Sequence, residues 1–353
     1  MRAPASSLVF DGSYGEGGGA LLRTALAMSA ITQQTVQISQ IRGATRYPGL
    51  DLEDLALISA LEISCAAEVS PVGPGVDHVV FSPKRTPKNL VETVGGETYG
   101  SNRHANALIL VNTLQGVLVH AGAYSTLTAK GETFGNNTLS FDSYSACTAE
   151  ALKKFGCYAY PKLIEGGFGR ESEGTVVLDI EPSRVDGLEW ADRGALQSVT
   201  ALIAYSHIGE AIPQRAASHL MTLSRQAKLQ FEIELKKVEA VSPGVHVTIC
   251  AKFERGFGSG SMMGTRGVRI ESVATSAFDQ LFDFLQSKAA VDSYLADQIL
   301  LTSVFATAPV TFSVSNISSR LLTAIWVIKQ FMPIHITVNG QEGQAGLVSI
   351  RRG

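Results

Sequence analysis

An order of strand, helix, strand, helix, strand, strand recurs three times along the 353-residue chain, and such a repeat restricts the fold more than any single element. In the second half of each copy an apolar helical period gives way to strand-like alternation. LALISALEISCAAEVS leads to DHVVFS, SACTAEALKKFGCYAYPKLIEGG to TVVLDIEP, and RLLTAIWVIKQFMPIHITV to LVSIRR. In the first half a helix precedes one strand: ALLRTALAMSAI before TVQISQI, ANALILVNTLQ before GVLVHAGAY, and YLADQILLTSVF before VTFSVSN. The first two copies stand about 90 residues apart and the second and third about 170–180, so a segment is inserted between them. Residues 184–258 hold a helix pattern, EAIPQRAASHLMTLSRQAKL, and two strand patterns, QFEIELKKVEAV and GVHVTICAKF. The expected fold class is α+β, of the α/β sandwich type. Three βαβαββ units over 1–183 and 259–353 form the body, and a small inserted α/β domain spans 184–258.

With 45% hydrophobic and 17% charged residues, this is the composition of a soluble globular protein. No apolar run is long enough to cross a bilayer, and MRAPASSLVF is too short for a secretory signal, so the expected location is cytoplasmic, with no membrane partner. Cys65, Cys147, Cys157 and Cys250 have no metal-ligand spacing and read as thiols in a reducing compartment. A net charge of −3 argues against a non-specific nucleic-acid coat but leaves room for a local basic pocket holding one chain end.

Chemistry concentrates first in FDGSYGEGGGALLRTALAMS. A strand ending near Phe10 and a helix beginning near Ala20 leave Gly15, Gly17, Gly18 and Gly19 between them, where missing side chains let backbone N–H groups approach a phosphate. The spacing fits neither the dinucleotide fingerprint nor the P-loop. Glu16 has no apolar role there and is either solvated or a ligand of an oxygen-loving cation. Arg23 falls where the helix face returns to the loop, and serves either a bidentate phosphate contact or a surface ion pair. Further on, YLADQILL sets Tyr294, Asp297 and Gln298 at i, i+3 and i+4, one face carrying a ring, a carboxylate and an amide.

DGSYGEGGG with LLRTAL, then IRG and YPGL, YLADQ and SSRLLTA, in that order along nearly the whole chain, resemble the landmarks of RNA 3'-terminal phosphate cyclases. The resemblance implies a three-repeat body with an inserted small domain. It also implies ATP-dependent, ligase-type conversion of an RNA 3'-phosphate to a 2',3'-cyclic phosphate, with Mg²⁺ and a covalent adenylate on a histidine. By the same resemblance Glu16 binds the metal, and Arg23, Arg42 and Arg46 address the substrate phosphate. Tyr294 packs the nucleoside, Asp297 and Gln298 address base or ribose, and Asn112 stands at a family glutamine of the nucleotide pocket.

The departures from that pattern matter as much. Arg320, in SNISSRLLTA, aligns with the nucleophilic histidine, and a guanidinium has no lone pair with which to attack an α-phosphate. Glu53 and Asp54 stand where the family shows a glutamine–histidine pair, and a carboxylate about 4 Å from a phosphate charge is repelled by roughly 1 kcal/mol in water and about 4 at an effective dielectric of 20. GGFGRESEG also departs from a more glycine-rich turn. His104, beside Arg103 at a helix start, is the candidate substitute nucleophile or general base; the remaining histidines read as structural. The expectations that follow are an active cyclase-like enzyme, an inactive RNA-binding relative, or, because the repeats also resemble those of enolpyruvyl transferases, an enzyme for a small phosphorylated substrate. Convergence of Arg23, Arg42, Arg46, Arg103 and Arg320 on one cleft would favour the last.

Overall fold

The computed structural model describes residues 7–352. The expectation about an N-terminal signal falls mostly on residues 1–6, outside the described residues.

Three four-stranded sheets repeat one topology. The first unit comprises β1 (Leu8–Asp11), α1 (Gly19–Thr32), β2 (Val36–Ser39), α2 (Leu52–Cys65), β3 (Glu68–Val69) and β4 (Val79–Ser82), with sheet order β1-β2-β4-β3. The second comprises β5 (Val91–Gly95), α3 (Ala107–Leu118), β6 (Ser125–Gly131), a helix passing from α4 (Phe141–Ser143) through a π-turn (Tyr144–Thr148) into α5 (Ala149–Lys154), β7 (Ala159–Glu165) and β8 (Gly174–Ile180), in order β5-β6-β8-β7. The third opens with β9 (Leu188–Trp190) and is then interrupted.

The interruption contains β10 (Leu196–Ser206), α6 (Ala211–Ala227), β11 (Glu232–Lys237), β12 (Gly244–Phe253), β13 (Gly256–Met263) and α7 (Ile270–Ser287). The third unit then resumes with α8 (Ser293–Ser303), β14 (Val310–Val314), α9 (Ser319–Phe331), β15 (Ile334–Asn339) and β16 (Gly346–Arg352), in order β9-β14-β16-β15. In every unit the first two strands are parallel and the remaining pairings antiparallel. The α+β class is as the sequence predicts.

Strand alternation explains why each sheet covers helices on one face only: β6 and β8 bury every second residue. Helices α1 and α3 are buried along most of their length and meet each other, so small residues such as Ala25 and Ala27 set how closely the neighbouring helices approach.

Two details differ from expectation. The insert has its own hydrophobic core, which runs from Val199 to Phe284 and includes β13 and α7, well past residue 258, while β9 belongs to the body. The strand β13, GFGSGSMM, lies beyond the two strand patterns expected of the insert. Its glycines let α7 lie on it, since a Cβ at Gly260 would strike the Ala277 carbonyl and one at Gly258 the Phe284 ring. GVLVHAGAY is not a strand. Helix α3 continues to Leu118, where its nearly all-round burial erases the polar face that would have marked it as helical, and Gly116 admits Leu301, 2.8 Å from where a Cβ would stand. All four cysteines are free and buried; burial pushes the Cys65 thiol up to about 11 and Cys157 up to about 12, so these two are poor nucleophiles at neutral pH.

Candidate functional site

A cavity of about 420 Å³ opens where the first turns of α1, α2, α8 and α9 meet the flank of α3 and the insert. Helix N-termini carry partial positive charge, so this arrangement favours anions before any side chain is counted. The cavity brings together Glu16, Arg23, Arg42, Asn112, Tyr294, Asp297, Gln298 and Arg320, residues that the sequence scatters over some 300 positions.

The glycine loop packs closely against other parts of the chain. Gly15 has φ +68°, and a Cβ there would collide with the Thr323 hydroxyl, which receives the Glu16 N–H at 3.0 Å. A Cβ on Gly19 would run into the guanidinium groups of Arg23 and Arg42. These glycines make room for the Thr323 hydroxyl and for two arginine side chains.

Those arginines are already paired. Buried Arg42 holds Asp51 through Nη1 and Asp54 through Nη2 at 2.8 Å, and Arg23 lies 3.8 Å from Asp54. Asp51 and Asp54 also form a reciprocal cap at the start of α2, each carboxylate accepting the other's N–H at 3.1 Å. Arg42 adopts a left-handed backbone, φ 53°, at a cost of about 1–2 kcal/mol that its ion pairs help offset. Burial alone would weaken its charge, but Asp54, Asp51 and Glu53 together raise its pKa. Asp54 is pushed well up by burial and by the neighbouring Asp51, against the pull of Arg42 and Arg23.

Glu53 is buried too. It takes the Asn106 N–H at 3.0 Å and the Arg170 guanidinium at 2.6 Å. The expectation that Glu53 and Asp54 repel a phosphate directly is therefore corrected: each is spent on an arginine, and their effect is to position Arg23, Arg42 and Arg170.

The opposite wall is built from amides and hydroxyls. Asn112 donates to the Gln298 carbonyl at 3.4 Å while its Oδ1 is buried without a partner. The Gln298 side-chain oxygen accepts from the Thr148 hydroxyl. Half-exposed Tyr294 stands at the rim. The Asn112 amide oxygen is thus a buried acceptor of this wall that still lacks a hydrogen bond among the described residues.

Between the walls lies a third group. Arg320 Nε is 3.4 Å from Glu16 Oε2 and its Nη1 is 3.8 Å from Asp297 Oδ2. Glu16 Oε1 accepts the Ala20 N–H at 3.0 Å, which ties the loop to the start of α1. Asp297 accepts from Ser318 at 3.2 Å, and burial pushes its carboxyl up to about 7 against the pull of Arg320 and Ser318. Glu16 is thus neither free in solvent nor free to ligate, and no cluster of three His, Cys, Asp or Glu side chains able to hold a metal occurs among the described residues. The donor set as folded does not fit Mg²⁺.

Three expected site residues lie elsewhere. Arg46 sits over the Tyr47 ring at 5.4 Å on an exposed loop and does not line the cavity. His104 faces Glu173 at 3.5 Å, because its backbone N–H is held by the Arg170 carbonyl at 2.7 Å, and it too lies off the cavity with exposed Arg103. Conversely Arg170, Thr148, Ser259, Ser261 and Gln280 line it without having been singled out. The charged residue in GGFGRESEG was the one available signal for Arg170.

Residues 14–338 match a family model described as RNA 3'-terminal phosphate cyclase. The RNA 3'-terminal phosphate cyclase of Gloeothece citriformis is 32% identical over 335 residues, covering 94% of this chain and 95% of its own. That of Methylococcus capsulatus is 30% identical, covering 97% and 96%. Among solved structures, the enolpyruvyl transferase NikO from Streptomyces tendae covers 98% of this chain and 48% of its own at 8% identity and a TM-score of 0.40, too slight a likeness to carry an argument.

Proposed function

The chain belongs to the RNA 3'-terminal phosphate cyclase family, and from that premise we propose that it is a cyclase-like protein whose cavity binds an ATP-type nucleotide but which forms no histidine adenylate. The observation that carries this reading is the composition of the cavity wall: Arg320 stands at the start of α9, and no histidine lines the cavity among the described residues. Bound ATP would supply an activated adenylyl or phosphoryl group. The chain's own residues divide the work of holding it, with Asn112, Gln298 and Tyr294 on the nucleoside side and Arg23, Arg42, Arg170 and Arg320 on the phosphate side. RNA 3' ends are the macromolecular partner the family suggests. Among the described residues no helix is long and apolar enough to cross a membrane.

The test is incubation with ATP labelled at the α-phosphate, with and without a 3'-phosphorylated RNA. We expect no stably labelled protein and no cyclic end; a covalent label that survives denaturation overturns the reading. A second reading is favoured by the gathering of four arginines in one cavity, with Arg46 and Arg103 left outside: a small phosphorylated metabolite in place of RNA. Competition by inorganic phosphate and by short 3'-phosphorylated RNA for a fluorescent nucleotide separates the two.

A further inference from the structure

We propose that the Arg320 guanidinium pre-empts the divalent-cation site of this cavity, so that the chain binds a phosphorylated ligand through arginine and without a metal ion. The inference rests on the nucleotide-pocket reading for the identity of the ligand, but its geometric basis is independent of that reading. Two carboxylates from distant parts of the chain, Glu16 of the glycine loop and Asp297 of α8, face the same guanidinium at 3.4 and 3.8 Å. A divalent cation at this place would need those same oxygens, and would meet a fixed positive charge where it should bind.

The other oxygen of each carboxylate is also engaged, Glu16 Oε1 by the Ala20 N–H and Asp297 Oδ1 by the Ser318 hydroxyl. Glu16 cannot swing away without leaving a first-turn N–H of α1 unsatisfied, nor Asp297 without depriving the Ser318 hydroxyl, which caps α9, of its acceptor. Arginine suits the exchange because it stays charged and offers several donors. Nε and Nη1 face the carboxylates, and Nη2 makes no hydrogen bond among the described residues, which leaves an edge for a phosphate oxygen. One side chain therefore sits against both carboxylates and turns a free donor edge toward the ligand, two tasks otherwise assigned to a metal.

Two measurements on the full chain test this. Manganese binding is read by electron paramagnetic resonance without nucleotide, in wild type, Glu16→Gln, Arg320→Ala and the double variant Arg320→Ala/Glu16→Gln, at pH 8. Wild type should hold no ion at this site, Arg320→Ala should gain one, and the double variant should lose it by about tenfold or more in affinity. A manganese ion bound by wild type and abolished by Glu16→Gln alone overturns the proposal, as does failure of Arg320→Ala to gain one. ATP affinity is then measured with Mg²⁺ and with EDTA. Equal affinities in wild type and a dependence of about tenfold or more in Arg320→Ala support it. Binding by wild type only with Mg²⁺ overturns it while leaving the nucleotide pocket standing. If ATP binds in neither condition, the nucleotide reading fails and the manganese result alone decides this proposal.

Discussion

The two walls of the cavity solve opposite problems. On one side the starts of α1 and α2 form a charge network in which Arg23, Arg42 and Arg170 each have a carboxylate partner before any ligand arrives. On the other, α3 and α8 offer weakly polar groups, one of them, the Asn112 amide oxygen, with no partner. Among the described residues every arginine of the charged wall has a carboxylate partner, although Glu53 Oε2 and Asp54 Oδ1 accept no hydrogen bond; the polar wall has no ion pair to hold it. The first contributes chiefly to stability, and the second has most to gain from a ligand.

The sharpest way to break this contrast is Arg42→Ala. Removing a buried guanidinium from two carboxylates should cost about 3–5 kcal/mol in urea denaturation, and a cost near zero would mean that the network is not structural. Next comes pH. The Asp297 carboxyl titrates near 7 in the folded chain, above its usual 3.8, so its contribution is fully present below about pH 4 and fades as pH rises through 7. Asp297→Asn should remove that loss, a gain on the order of 2 to 4 kcal/mol above pH 7, read as a flatter profile of stability against pH. Gly19→Ala should cost about 1–3 kcal/mol by pushing Arg23 and Arg42 aside. Smallest in stability is Asn112→Ala, which removes an unsatisfied oxygen together with one long hydrogen bond and should change the unfolding free energy by less than about 0.5 kcal/mol while weakening nucleotide binding about tenfold. The reverse pattern, stability lost and binding kept, would erase the distinction between the walls.

The three-unit body was legible because helices of period 3.6 and half-buried strands alternate in the same order each time. The insert's far boundary was not, because β13 is a glycine-rich strand whose register depends on what α7 brings against it. At the site, Glu16, Arg23 and the YLADQ face were legible from local spacing. Arg170 and Gln280 were not, since only tertiary folding carries them to a cavity built elsewhere. The sign of the Glu53 and Asp54 effect was hidden for a related reason. A carboxylate repels phosphate when free but holds an arginine in place when paired, and pairing is a property of the fold. The placing of His104 off the cavity was hidden on the same ground, since its backbone is anchored to the Arg170 loop and its ring faces Glu173.

The insert separates the two halves of a βα unit: β9 ends at Trp190 and α8 begins at Ser293, yet both belong to the third repeat. During synthesis the first two repeats can complete their sheets as they emerge, whereas β9 must wait for the whole insert before its parallel partner β14 exists. Closing so long a loop slows folding, and the exposed edge of an unpartnered strand invites association between chains in the interval. A chain truncated after the insert should therefore be far more prone to aggregate than the full protein, and the third repeat should be the last part of the body to gain protection from hydrogen exchange.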